Sequence, residues 1–137
     1  MRVVLDTNVL ISALITPGGW PDRLYQAWRT GQFDLISCEE QLDEFRRVTR
    51  YPRLRPFLQP AEAGTMVNEI RLLATLVVRL PKVDVSPDPA DNFLLAAARV
   101  GHADYLVTRD KDDLLALGRY KNTRIVSISQ MIELLEQ

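Results

Sequence analysis

Acidic residues in this chain recur directly after short apolar runs, and that placement gives them chemical potential. Val3-Val4-Leu5 ends in Asp6, and Tyr105-Leu106-Val107-Thr108 is followed at once by Arg109-Asp110-Lys111-Asp112-Asp113. An aliphatic run with no polar break reads as a parallel strand buried on both faces. Ligand sites in open α/β sheets gather at the carboxyl ends of such strands. Glu44 lies on a helix after the second apolar run, and Asp91 opens the helix that leads into Tyr105. Four segments can thus bring carboxylates to one rim, where they raise one another's pKa unless a cation neutralises them. Hard oxygen ligands at open positions suit Mg²⁺ or Mn²⁺, which bind phosphate oxygens and assist in-line displacement at phosphorus. Asp6 alone could equally be a helix N-cap, with Thr7 and Asn8 serving the turn. The other three acidic positions favour chemistry.

Strand-like runs alternate with helical patterns five times. The strands are read at Val3–Leu5, Phe33–Ile36, Leu76–Leu80, Tyr105–Thr108 and Arg124–Ile128. Between them, Leu24, Ala27 and Trp28 give one helix its apolar stripe, and Leu42, Phe45 and Val48 give another. Ser37-Cys38-Glu39-Glu40 has the form of a capping box. A helix is expected from Ala61 to Leu73, and Ser129 is expected to cap the last one, Met131–Leu135. Pro81 to Pro89 reads as a connecting loop. The pattern predicts a three-layer α/β sandwich, with a central parallel sheet of about five strands, in a single domain over residues 1–137.

At 137 residues, with 47% hydrophobic and 26% charged content, the chain is of ordinary globular composition. No apolar run is long enough to span a bilayer, and Met1 leads directly into the first strand, so a cytoplasmic protein is expected. The one cysteine, Cys38, excludes an internal disulfide and reads as a buried or incidental thiol. A net charge of −1 does not announce a nucleic-acid binder, but Arg46, Arg47, Arg50, Arg53 and Arg55 crowd one segment. A solvated helix face is the default reading of such a run, with phosphate recognition as the alternative. One histidine, His102, cannot serve as both acid and base, so a histidine-pair ribonuclease mechanism is excluded. His102 follows Gly101 and reads as a helix C-terminal cap. Trp20, Tyr25 and Trp28 suit core or interface equally.

Leu5-Asp6-Thr7-Asn8, Leu42-Asp43-Glu44-Phe45 with Arg46-Arg47-Val48, Asp88-Pro89-Ala90-Asp91-Asn92 with Leu95-Ala96-Ala97-Ala98, and Leu106-Val107-Thr108-Arg109-Asp110 occur in that order. The ordered set resembles PIN-domain ribonucleases, of the VapC-like kind that are toxins of toxin–antitoxin pairs. The resemblance implies a Mg²⁺- or Mn²⁺-dependent endonuclease acting on single-stranded or structured RNA, with a cognate antitoxin and a homodimeric state. Asp6, Glu44, Asp91 and Asp110 match the family's acidic quartet, with Asp6, Asp91 and Asp110 expected to hold the metal. Asp88 and Asn92 compete with Asp91 for the third place. Asp113 matches an additional acid, with Asp112 as its rival. Thr7 or Asn8 would orient Asp6, and Thr108 would hydrogen-bond a carboxylate or a bound water. Arg46, Arg50 and Arg109 are the residues expected along an RNA backbone.

Two other functions fit parts of the pattern. A phosphatase-like α/β enzyme wants a second acid two residues after Asp6, where Asn8 stands. A non-catalytic RNA- or protein-binding module would not require all four acids, and metal binding separates it from the nuclease.

Overall fold

The structure, a computed structural model, describes all residues from Met1 to Gln137. Its elements run β1 (Arg2–Leu5), α1 (Thr7–Ile15), α2 (Trp20–Arg29), β2 (Asp34–Ser37), α3 (Glu39–Thr49), a 3-10 turn (Pro52–Leu54), α4 (Pro60–Leu73) and β3 (Thr75–Leu76). They continue α5 (Pro89–Val100), β4 (Tyr105–Val107), α6 (Leu114–Leu117), β5 (Arg119–Tyr120), β6 (Thr123–Val126) and α7 (Ile128–Glu136). The six strands lie in the order β3-β2-β1-β4-β6-β5, all parallel to their neighbours except the β5–β6 pair. The predicted three-layer α/β class is the class observed.

Strand burial explains the layers. Val3 and Leu5, with Leu35, Val107 and Val126, enter a cluster of 21 buried residues that also takes apolar side chains from α1, α2, α3, α4 and α7. Their neighbours Val4, Ile36, Leu106 and Ile125 point the other way, into a cluster of 9 with Leu94, Leu95 and Ala98 of α5 and Leu114 of α6. Period-two alternation with both faces apolar is what covers a sheet on both sides. The small residues of α5 permit close approach, and a Cβ on Gly101 would stand 2.5 Å from Ile36 Cγ2. Tyr25 and Trp28 belong to the core, in edge-to-face contact at 5.2 Å, whereas Trp20 is exposed.

Four local expectations are corrected. The third strand, expected over Leu76–Leu80, spans only Thr75–Leu76, and Arg79 has a left-handed backbone (φ 57°) that ends extension. The last strand stops at Val126, and Ser127, not Ser129, caps the final helix. Ser127 has Gln130 three residues on, so a reciprocal capping box forms there. The box expected at Ser37–Glu40 does not form, because Cys38 is the N-cap and the Ser37 hydroxyl donates to Gln41 instead, at 2.6 Å. The antiparallel β5 was not expected at all; two residues carry too little pattern to announce a strand.

β1 sits where the crossovers change direction, with β2 on one side and β4 on the other. The carboxyl ends of β1 and β4 therefore border the crevice that open α/β sheets offer to ligands.

Candidate active site

That crevice is a cleft of about 660 Å³ whose lining includes Asp6, Glu44, Asp88, Asp91, Asp110 and Asp113. Each acid is delivered by a different local device. Asp6 directly follows β1 and is the N-cap of α1, its Oδ1 accepting from the Asn8 backbone N–H at 3.4 Å, and it also lines the cleft. Its Oδ2 accepts from the Thr108 hydroxyl at 2.7 Å. Thr108, fully buried after β4, also accepts from the Asp110 backbone N–H at 3.0 Å. One hydroxyl thus sets the spacing between the acid after β1 and the acid after β4.

Asp91 lies in the first turn of α5, buried, with Oδ2 accepting from the Ser86 hydroxyl at 2.9 Å. Asp88 is the N-cap of that helix and reaches the Ala90 N–H at 3.0 Å. Asn92 turns away from the cleft to tie down the preceding loop through Val85 and Ser86. Carboxylate oxygens of Asp91, Asp110 and Asp113 all lie within 4.8 Å of one another. Asp112 is exposed and outside the cleft lining. Glu44 is half-buried on α3 and lines the cleft beside Thr7. Thr7 is itself approached by the buried Gln41 amide, which donates to the Leu5 carbonyl at 2.6 Å and to Thr7 Oγ1 at 3.5 Å.

The electrostatics follow from burial and crowding. Burial is the main force raising the carboxyl of Asp6; Thr108 opposes it and the charge of Asp110 adds to it. Burial likewise raises Glu44; the neighbouring Thr7 opposes it and the charge of Asp6 adds to it. Asp91 is pushed up to about 6, first by burial and then by Asp88, Asp6 and Asp110. None of the three salt bridges of the chain lies in the cleft.

A hard divalent cation fits this donor set. In an octahedral shell at about 2.1 Å, neighbouring ligand oxygens stand about 3 Å apart and opposite ones about 4 Å. The carboxylate oxygens of Asp91, Asp110 and Asp113, within 4.8 Å of one another, are close to such spacings. Mutual repulsion among unpaired acids is the unfavourable energy that a cation would remove.

The arginines divide. Arg109 lines the cleft, its guanidinium donating to the Ser12 hydroxyl at 2.8 Å. Arg46 instead leans toward Asp43 at 3.7 Å, and exposed Arg50 caps α3 away from the cleft lining. Arg53, grouped in sequence with the other arginines but not singled out for RNA, does line the cleft. Ser86 and Gln41 support the site without a sequence signal, since a serine in a proline-rich loop and a glutamine inside a helix carry no motif. Cys38 is fully buried, and burial pushes its thiol up to about 11, which fits an unreactive thiol. His102 follows the α5 C-cap, its N–H donating to the Arg99 carbonyl at 3.3 Å.

The sequence of residues 2–112 matches the family model described as PIN domain. The chain belongs to the PIN domain family. That match spans the strand ends carrying Asp6 and Asp110 and the helices carrying Glu44 and Asp91, and it stops just short of Asp113. PIN domains are generally nucleases that use divalent metals. The fold is also similar to the crystal structure of FitAcB from Neisseria gonorrhoeae, with a TM-score of 0.52 and 15% identity over 93% of this chain and 98% of that one. No curated protein matches the sequence. In this PIN domain no helix is long and apolar enough to cross a membrane.

Proposed function

We propose that this PIN domain is a metal-dependent endoribonuclease that hydrolyses RNA phosphodiester bonds. The observation that carries this reading is the convergence of Asp91, Asp110 and Asp113 oxygens within 4.8 Å beside the doubly hydrogen-bonded Asp6. Asp91, Asp110 and Asp113 would hold Mg²⁺ or Mn²⁺, with Asp6 completing the site. The expected ligand set of Asp6, Asp91 and Asp110 thereby gains Asp113. A bound cation supplies Lewis acidity, lowering the pKa of water and neutralising charge on the reacting phosphoryl oxygens.

The chain's own residues divide the remaining work. Arg109 and Arg53 at the cleft bind the phosphodiester. Glu44, its pKa raised by burial, accepts a proton from the attacking water. The water oxygen bonds to phosphorus as the bond from phosphorus to the 3′ oxygen breaks, and that oxygen takes a proton from solvent. Direct water attack leaves a 5′-phosphate and a 3′-hydroxyl. No histidine lines the cleft to activate the ribose 2′-hydroxyl.

End-group analysis of a cleaved RNA oligonucleotide tests the mechanism. A 2′,3′-cyclic phosphate, or cleavage undiminished by EDTA, would overturn it. The resemblance noted in the sequence extends the proposal to a toxin with a cognate antitoxin and a homodimeric state. An adjacent reading frame for a small protein that copurifies and inhibits cleavage tests the first, and light scattering of the purified chain tests the second.

A further inference from the structure

Between Phe45 and Ala61 the chain carries five arginines and no acid, although its net charge is −1. Of Arg50, Arg53 and Arg55, all exposed, none enters a salt bridge. The same stretch presents two aromatic side chains to solvent, Tyr51 at 37% and Phe57 at 61% exposure. Neither is loose. The 3-10 turn between them is closed by hydrogen bonds from Leu54 N–H to the Tyr51 carbonyl and from Phe57 N–H to the Leu54 carbonyl, both 2.9 Å. Leu58, buried, and Leu54, packed on the larger core, anchor the turn from below. The Arg53 guanidinium lies 5.4 Å from the Tyr51 ring centroid, and Arg53 and Leu54 are themselves part of the cleft lining. Arg53, which contacts the Tyr51 ring, and Leu54 therefore join this aromatic and basic stretch to the rim of the acidic cleft.

We infer that the Tyr51–Phe57 turn is a stacking platform for bases of single-stranded RNA entering that cleft. This rests on the ribonuclease reading and assigns the surface that receives the unpaired strand. Every base has a π face that can lie on an aromatic ring, but a duplex hides those faces in its own stack. Arginine contributes both phosphate charge and stacking to such a surface. The hydrogen-bonded turn fixes the backbone that carries both rings, and Arg53 already lies over Tyr51, so less ordering entropy opposes binding. An acidic protein segment would satisfy the arginines but would leave the π faces unused.

The test is fluorescence anisotropy of the whole protein with a labelled mixed-sequence RNA strand, alone and annealed to its complement, in EDTA. The single strand should bind at least about tenfold tighter than the duplex. Tyr51→Ala and Phe57→Ala should each weaken it by about fivefold to a hundredfold, while Tyr51→Phe should bind as wild type. Phe57→Leu keeps an apolar side chain without a π face and should weaken binding as alanine does. Arg53→Gln should reduce the logarithmic salt slope by about 0.7. Equal binding of duplex and single strand, unaltered binding by the alanine variants, or no RNA binding would overturn the platform. Adding Mn²⁺ to the same mixture separates the two readings. Binding without cleavage removes the nuclease and keeps the platform; cleavage by alanine variants that bind normally does the reverse.

Discussion

Replacing Asp91 with asparagine should make the metal-free protein more stable, in a manner that depends on pH. Asp91 is 5% exposed, and burial together with Asp88, Asp6 and Asp110 raises its pKa from 3.8 to about 6. The folded state therefore binds this proton more tightly than the unfolded chain does. Well below pH 3.8 the carboxyl is neutral in both states and imposes no penalty. As pH rises through about 6, the folded protein must ionise it against burial and like charge, and stability falls. A shift of about two pKa units at about 1.4 kcal/mol each sets a ceiling near 3 kcal/mol. The cleft is open to water, so screening reduces the expected gain to about 1–1.5 kcal/mol. Asparagine retains a carbonyl to accept from Ser86, so the loop contact at 2.9 Å survives the exchange. For a domain of this size the gain corresponds to about 3–6 °C in Tm. Calorimetric melts in EDTA should show Asp91→Asn above wild type at pH 8, with the gap closing toward pH 4. Saturating Mg²⁺ or Mn²⁺ should stabilise wild type more and shrink or invert the gap. Equal melting temperatures at pH 8 in EDTA, or a less stable variant, would refute the account of Asp91 as a site of stored repulsion.

Two substitutions probe the rest of the site. Asp6→Asn should reduce RNA cleavage by at least about a hundredfold while the circular dichroism spectrum stays that of wild type; full activity in the folded variant would remove Asp6 from the chemistry. Thr108→Val, nearly isosteric and fully buried, deletes both the donor to Asp6 and the acceptor for the Asp110 N–H. It should cost about 1–3 kcal/mol in denaturant unfolding and lower kcat more than KM, and an unchanged midpoint would show that the hydroxyl does not tie the two acids together.

Much of this arrangement is legible in the sequence because backbone topology alone delivers it. Val3-Val4-Leu5 and Leu106-Val107 must be buried strands, and in a parallel sheet the residues that follow them share an edge. Asp6, Thr108 and Asp110 are therefore near one another before any side chain is placed. Asp91 could be chosen over Asn92 only from its helix, and the structure adds the reason: Asn92 spends its amide on the loop at Val85 and Ser86. What sequence does not disclose are choices between competing local partners. Ser37 has a capping-box spacing, yet Gln41 offers its hydroxyl a buried acceptor, and the tertiary contact wins. Arg46 and Arg50 sit in the same basic run as Arg53, but of the three only Arg53 lies in the 3-10 turn that borders the cleft. Charge spacing is one-dimensional and cannot show that turn.

The polar groups under the cleft explain how so many carboxylates are tolerated at one rim. Repulsion would otherwise be relieved by movement, with Asp6 and Glu44 swinging apart toward water. Gln41, with 1% of its surface exposed, holds the backbone under Asp6 against such movement. Its amide joins the Leu5 carbonyl to Thr7 and takes the Ser37 hydroxyl on its oxygen, so the ends of β1 and β2 and the first turns of α3 are fastened as one piece. No buried side-chain polar atom in the chain lacks a partner, so the frame itself adds no unsatisfied group to the cost. The strain is thereby confined to the charges, where a cation can remove it, and kept out of the backbone. Asp6, Thr7 and Asp91 are not in left-handed conformations; the non-glycine residues that are, Arg79, His102 and Lys121, all lie outside the cleft lining. A site built this way is held ready by hydrogen bonds and left incomplete only in charge, which is the condition under which a metal ion contributes most to both stability and chemistry.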